Sequence, residues 1–221
     1  DPEGDARHRR IAGQAAPLVE PLEDVVGEGV IRRELAPMIE ESNPDLLRIP
    51  WGKMVHDLTK GGKPDEAYAA WGEKMGAGEN PLPQEELQRS MWERLTEYAE
   101  EYNEPGRFTA LIGYEWTSSP GGNNLHRNII FRDSKLRADQ VVPFSNYDSS
   151  DPEDLWSWME GYEEKTGGRV LALAHNGNLS NGLMFDEMTL TSKKPIDRTY
   201  ADKRTRWEPM YEVTQIKGDG E

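Results

Sequence analysis

Two short apolar runs, each ending on a residue that can carry chemistry, constrain the fold of this chain most. Residues 170–174 are apolar and lead directly into His175 and Asn176. Residues 108–114 lead in the same way into Glu115. Apolar runs of this length predict buried strands, and in α/β sheets the reactive groups lie at the carboxyl ends of strands. We therefore expect an α/β fold that places Glu115 and His175 at one edge of a sheet.

The region after residue 83 alternates between predicted helices and strands. Residues 84–103 form an amphipathic helix with an apolar face at steps of three and four, made of Leu87, Met91, Leu95, Tyr98 and Tyr102. A second helix over residues 151–166 begins at Asp151 and Pro152, typical of a capped start. It carries Leu155, Trp156 and Met159.

Four strands complete this pattern, at residues 108–116, 126–132, 169–174 and 210–216. We expect the first, third and fourth to be parallel neighbours, because helical crossovers return the chain in the same direction. Residues 1–80 are polar and interrupted by proline and glycine, which indicates short helices. The predicted division is a helical, loop-rich insertion or cap at residues 1–82 and an α/β domain at residues 83–221.

Composition limits the classes of partner. The chain has 221 residues, 35% of them hydrophobic, and seven tryptophans, enough for one sizeable core. Its net charge of −15 disfavours nucleic acid and membrane surfaces as partners. No cysteine is present, which excludes disulfides and thiolate ligands. No apolar membrane span is evident, so we expect a soluble protein. No signal peptide is evident either, and the compartment, cytoplasmic or periplasmic, stays open.

Glu115, His126 and His175 together suit a divalent metal ion such as zinc, manganese or iron. Each has a plainer explanation when taken alone. A glutamate at a strand end is often only solvated, and a histidine is often only a hydrogen-bonded structural residue. The glycine-rich loop before His126 and the asparagines after His175 favour the set over its separate parts.

Several motifs of the chain resemble a bacterial domain-of-unknown-function family (domain of unknown function 3604) of the PHP (polymerase and histidinol phosphatase) superfamily. The resemblance is specific over residues 103–221. The motifs are Gly113-Tyr114-Glu115-Trp116-Thr117, Asn123-Asn124-Leu125-His126-Arg127-Asn128, Ala174-His175-Asn176-Gly177-Asn178-Leu179-Ser180-Asn181-Gly182, Glu208-Pro209 and Glu212-Val213-Thr214-Gln215-Ile216-Lys217-Gly218.

This resemblance implies a distorted (β/α)7 barrel whose strand ends hold a cluster of two or three metal ions, which relatives use to hydrolyse phosphoesters. It also implies a small-molecule or phosphoester substrate as the partner. It maps metal ligands onto Glu115, His126 and His175, with metal-bound water rather than a side chain as the expected catalytic group. Members of the superfamily often have proline after the last histidine, where this chain has Asn176.

The chain departs from the superfamily because it contains no His-x-His, no Asp-His and no Asp-x-His sequence. We therefore expect an internal segment of a longer hydrolase, with an incomplete barrel. Exposed strand edges would then favour self-association. Alone, such a segment should bind metal weakly and lack activity.

Four polar residues are candidates for binding substrate, because they flank the predicted ligands or strand ends: Arg127, Asn176, Asn178 and Lys217. Each can equally serve only to solvate or shape a loop. The competing functions are an inactive fragment and a non-catalytic carbohydrate-binding module. The module would use Trp116, Trp156 and Trp158 with the asparagine-rich loop, although tryptophan on an amphipathic helix is more often part of the core.

Overall fold

A computed structural model describes residues 35 and 38–220 of the chain. Residues 1–34, 36 and 37, which belong to the predicted cap and include His8, lie outside the described part. Within it, a group of helices precedes a sheet whose first face is covered by further helices. No helix in the described part is long and apolar enough to cross a membrane.

The helical region comprises α1 (Pro44–Arg48), α2 (Pro50–Lys60) and α3 (Pro64–Gly76). Each begins at a proline, which fits the first helical turn because its missing N–H would have no partner inside the helix. These helices confirm the expectation of short helices before residue 80 for the part that is described. The three helices pack around one buried apolar cluster, made of Leu35, Met38, Ile39, Leu46, Val55, Ala67, Leu82, Leu87 and Met91.

Helix α4 (Glu85–Tyr102) connects this region to the sheet. Leu87 and Met91 join the helical cluster, whereas Trp92 joins the core beside the sheet. The predicted apolar stripe is correct for the first half of the helix and wrong for the second, because Tyr98 and Tyr102 are 42% and 52% exposed. The buried face changes where the helix passes from one cluster to the other.

The main sheet contains β1 (Ile112–Trp116), β2 (Arg127–Phe131), β3 (Val170–Ala174) and β4 (Met210–Tyr211), in that spatial order. Strand β2 is antiparallel to both β1 and β3. Strands β3 and β4 are parallel. The sheet is therefore mixed and open.

The expectation of an incomplete, distorted (β/α)7 barrel is wrong. The described strands form a four-stranded mixed sheet and a separate two-stranded one, and no barrel closes among them. The loop at residues 117–126 turns the chain back, so that β2 is inserted antiparallel between β1 and β3. Strands β1 and β3 run in the same direction but are not neighbours. Of the expected parallel pairs, only β3 with β4 forms.

Helices α5 (Lys135–Ala138), α6 (Pro152–Thr166) and α7 (Arg198–Trp207) belong to the side of the sheet that is covered. Helix α6 begins as predicted, with the Asp151 side chain accepting the backbone N–H of Glu153. Its predicted apolar face is also confirmed, because Leu155, Trp156 and Met159 are fully buried. These side chains pack with the strands in the main core.

The second face of the sheet is less covered. Ile130, Leu171 and Leu173 are only half-buried, and Asn128 is exposed. Because side chains alternate along a strand, this face also carries Glu115. The candidate ligands therefore lie on the face opposite the helices.

The predicted strand at residues 210–216 is interrupted after Tyr211. It continues as a separate hairpin of β5 (Thr214–Gln215) and β6 (Gly218–Asp219). Strand β6 packs against the turn formed by residues 177–179, directly after His175 and Asn176. This C-terminal hairpin is therefore a neighbour of the candidate site.

Candidate metal site at the end of the sheet

Strand alternation places Glu115, His126 and His175 on the same face. Glu115 lies within β1, His126 directly precedes β2, and His175 directly follows β3. The His175 N–H donates to the His126 carbonyl oxygen at 3.1 Å, which extends the β2–β3 ladder by one pair. Since β2 is antiparallel to its neighbours, its first residue meets the carboxyl ends of β1 and β3.

The three side chains converge. His175 Nε2 lies 2.7 Å from Glu115 Oε1, and His126 Nδ1 lies 3.2 Å from the same oxygen. One nitrogen or oxygen donor atom from each residue lies within 4.8 Å of the others. His126 is 0% exposed and His175 is 8% exposed. The expected convergence is thus present across 60 positions of sequence, whereas the binding of a metal stays a prediction.

Glu115 is held in its ionised form. Burial by itself would raise the pKa of its carboxyl group, but hydrogen bonding and charge from His126 and His175 outweigh burial and hold the pKa well below the usual value. The contribution of His126 requires a proton on its Nδ1 atom, whereas that of His175 comes through Nε2, which lies 2.7 Å from Glu115 Oε1. An ionised carboxylate beside two imidazoles is a ligand set that zinc, manganese and iron accept.

His126 has partners on both ring nitrogens. Nε2 lies 3.0 Å from the Ser119 hydroxyl, and Nδ1 lies 3.1 Å from the Asn176 side-chain nitrogen. Ser119 comes from the loop between β1 and β2, and Asn176 comes from the turn after β3. The imidazole orientation is therefore fixed from two separate segments.

Asn176 has a left-handed backbone conformation, with φ of 60°, which asparagine tolerates better than most residues. Its backbone N–H donates to a Glu212 carboxylate oxygen at 3.1 Å. Its side-chain oxygen accepts from the Gln215 amide. The C-terminal hairpin is thereby connected to the residue that contacts His126.

His175 Nδ1 is buried and has no hydrogen-bond partner among the described residues. A buried polar atom without a partner costs about 1–3 kcal/mol. Metal-binding histidines usually donate the second ring nitrogen to a carboxylate, a carbonyl or water. Nδ1 of His175 is therefore an available donor for such an acceptor.

Residues 10–221 match the family described as protein of unknown function (DUF3604). The chain belongs to this family. A comparison with the curated proteins found no match, and a comparison with the solved structures found none.

Arg127 occupies a structural position in this DUF3604 chain. It follows His126, so strand alternation directs it to the helix-covered face, where it is 1% exposed. Its guanidinium donates to Glu208 at 2.9 Å, and the Trp156 indole donates to the same oxygen at 2.9 Å. Arg204 donates to the other Glu208 oxygen at 3.1 Å. This geometry favours a structural role over the substrate-binding role that the sequence indicated.

The other two substrate-binding candidates lie where the hairpin meets the turn after His175. Asn178 donates its amide to the backbone carbonyl of Lys217 at 3.0 Å. The Lys217 side chain is exposed. Their predicted contact with substrate stays a prediction, since the observed bond joins the hairpin to the turn.

The tryptophans proposed for a carbohydrate surface lie mainly in the core. Trp116 is 0% exposed and Trp156 is 1% exposed. Trp158 is half-buried and stacks on Phe144 and Tyr162. These three tryptophans therefore give the binding-module alternative no exposed surface.

Three residues at the site were not singled out from the sequence: Ser119, Glu212 and Gln215. Glu212 and Gln215 belong to a motif that carried the family resemblance, which was a usable signal. Ser119 depends on the course of an irregular loop, and its sequence neighbourhood gives no such indication.

Proposed function

We propose that Glu115, His126 and His175 bind one divalent cation, and that the chain is part of a metal-dependent hydrolase of the phosphoesterase type in the PHP superfamily. The observation that carries the metal proposal is the meeting of three donor atoms within 4.8 Å on one sheet face. The hydrolase proposal rests on the resemblance of the surrounding motifs to that superfamily.

The residues fit a catalytic ion better than a structural one. Two imidazoles and one carboxylate make three protein ligands, and catalytic zinc sites keep a further position open. Divalent-cation chemistry supplies Lewis acidity toward a substrate oxygen and activation of water. With neutral imidazoles, Glu115 cancels one of the two positive charges, which leaves a local positive site in a protein of net charge −15.

The side chains around the ligands have supporting tasks in this proposal. Ser119 orients His126 through Nε2, and Glu212 holds the backbone of the turn after His175. Arg127 is committed to Glu208, so the proposal gives the substrate no arginine from this position. In this proposal the divalent cation itself, rather than an arginine, binds the anionic substrate.

Titration of chelator-treated protein with Zn²⁺ or Mn²⁺, followed by isothermal calorimetry, tests the metal site. We expect one equivalent to bind, weakly because only three ligands are supplied, and His175→Ala to abolish binding. His56→Ala is the matched control, because His56 lies in α2 and contacts Ser42 and Asp57 instead. Equal binding in wild type and His175→Ala would contradict the site.

The hydrolase assignment has its own test. We expect the isolated 221 residues to turn over p-nitrophenyl phosphate negligibly with added Mn²⁺. A metal-stimulated rate that disappears in His175→Ala would instead show that this chain already holds a complete active site. A protein of the same family that also carries His-x-His and Asp-x-His motifs, yet hydrolyses no phosphoester with added Mn²⁺, would contradict the assignment.

A further inference from the structure

The contacts of His126 Nδ1 are in conflict. The Asn176 side-chain nitrogen, a donor, lies 3.1 Å away, and the Glu115 Oε1 atom, an acceptor, lies 3.2 Å away. A ring nitrogen carries either one proton or one lone pair, so it can serve only one of these neighbours at a time. Which neighbour it serves depends on the orientation of the Asn176 amide.

The C-terminal hairpin sets that orientation. The Asn176 side-chain oxygen accepts from the Gln215 amide nitrogen, so the Asn176 nitrogen is the atom that faces His126. It donates to Nδ1, which must then be unprotonated, and the single imidazole proton resides on Nε2. Nε2 has an acceptor for that proton in the Ser119 hydroxyl at 3.0 Å. The tautomer of His126 is therefore specified by Asn176, and the Ser119 hydroxyl, which can accept or donate, is compatible with it.

The backbone of Asn176 is anchored separately from its side chain. Its N–H donates to Glu212, and the Glu212 N–H donates to the Ala174 carbonyl at 3.0 Å. Rotation of the side chain can therefore free Nδ1 without moving His175 or β3. The contact that such a rotation breaks is the one with Gln215.

We infer that Asn176 acts as a placeholder at the metal-binding lone pair of His126, and that Gln215 of the C-terminal hairpin holds it there. This inference rests on the proposed metal site. Binding of a divalent cation at Nδ1 requires the Asn176 amide to turn away, because one lone pair cannot serve both. Loading of the site is thus coupled to loss of the Asn176–Gln215 contact and to loosening of residues 214–219.

Asn176→Gly tests this competition, because glycine accepts the left-handed backbone and removes only the amide. We expect Zn²⁺ to bind roughly two- to tenfold more tightly to this variant by calorimetry, the range of one hydrogen bond released. If Asn176 instead merely supports a metal ligand, affinity should fall by about 10- to 100-fold. The two explanations therefore differ in sign.

Asn181→Gly is the matched control, because Asn181 lies in the same loop with φ of 50° and bonds to Asn123, away from the ligands. Its Zn²⁺ affinity should equal that of wild type. Nitrogen-15 NMR of the imidazoles in chelator-treated protein should show His126 protonated at Nε2 and not at Nδ1. Amide hydrogen exchange of residues 214–219 should become faster when Zn²⁺ is added.

Each outcome decides a different question. Weaker binding in Asn176→Gly, a proton on His126 Nδ1, or hairpin exchange that slows with Zn²⁺ overturns the placeholder role while leaving the metal site in place. Failure of both wild type and Asn176→Gly to bind Zn²⁺ removes the metal site, and the placeholder role with it. Tighter binding in Asn176→Gly alone, with Asn181→Gly unchanged, supports the inference.

Discussion

Two buried carboxylates near the same end of the sheet have opposite surroundings. Glu208 has a side chain 2% exposed and receives bonds from Arg127, Arg204 and Trp156. Glu115 has a side chain 14% exposed and is paired with two imidazoles. The first lies among the side chains that pack on the helix-covered face, and the second lies on the open face.

The difference between them is chemical. A guanidinium stays charged at any ordinary pH and has no lone pair to offer a metal, so the Glu208 pair is a closed structural unit. An imidazole can release its proton and bind a metal cation through the same nitrogen. The Glu115 cluster is therefore suited to bind and release a cation. Burial of a carboxylate therefore does not by itself identify a metal site, because the chemistry of its hydrogen-bond partners decides whether it can share a cation with them.

The largest effect should follow from breaking the closed unit. Glu208→Gln leaves the Arg127 charge buried without a counter-charge, and we expect a loss of about 3–5 kcal/mol in the free energy of unfolding. Urea denaturation measures it. Glu160→Gln, on the exposed face of α6, is the control and should change stability by less than about 0.5 kcal/mol. If Glu208→Gln lost as little free energy of unfolding as the control, Glu208 would not be the structural carboxylate that distinguishes it from Glu115.

Substitution in the Glu115 cluster should change the affinity for metal more than the free energy of unfolding. Glu115→Gln keeps the shape but removes the charge, and we expect Zn²⁺ affinity to fall at least about tenfold by calorimetry. The free energy of unfolding should change less than in Glu208→Gln. A Glu115 variant that loses more stability than the Glu208 variant, while still binding Zn²⁺ normally, would reverse the comparison.

A third carboxylate, Asp133, lies at the opposite end of β2 and sharpens the contrast through pH. Burial would raise its pKa, but hydrogen bonds from the Arg169 N–H, Arg137 and Tyr162 outweigh burial and lower it. A lowered folded-state pKa stabilises the protein above the unfolded value of about 3.9, and this stabilisation is lost as pH falls through the folded pKa.

Asp133→Asn should therefore be less stable than wild type near neutral pH by about 1–3 kcal/mol. The gap should narrow as the pH approaches about 3. Urea denaturation across this pH range checks it. A gap of constant size at every pH would mean that the loss comes from packing instead of from ionisation.

The smallest effect is expected at Lys217. Its side chain is exposed, and the bond to Asn178 uses its backbone carbonyl, which Lys217→Ala retains. We expect stability to change by less than about 0.5 kcal/mol and Zn²⁺ affinity to stay the same. Weaker binding of inorganic phosphate to the Zn²⁺-treated variant would instead support the predicted substrate-binding role.

Local signals in the sequence predicted local structure well. Asp151 and Pro152 indicated the start of α6, and the apolar run before His175 indicated β3. The placement of β2 could not be read from its own residues, because an antiparallel insertion depends on the path of the loop at residues 117–126. The barrel was therefore wrong although the strands themselves were largely right.

The same distinction holds at the site. Glu115, His126 and His175 could be singled out by residue type and position at strand ends. The direction of Arg127 was also available, since a residue adjacent to His126 in a strand must face the other way. The role of Ser119 was not available, because it depends on the path of the loop at residues 117–126. The family motif marked Gln215 but not its contact, which depends on a left-handed turn at Asn176 and on a hairpin that interrupts the predicted last strand.

The wide spacing of these contacts along the chain has a consequence for folding. The candidate ligands span 60 positions, and the Arg127–Glu208 pair spans 81. Contacts of such high sequence separation form only when the strands have assembled, so a nascent or partly unfolded chain cannot preform the site. A cation held there would favour the native state alone, by about 2.7 kcal/mol at a concentration 100 times its dissociation constant. Retention of the ion would then report the integrity of the whole sheet.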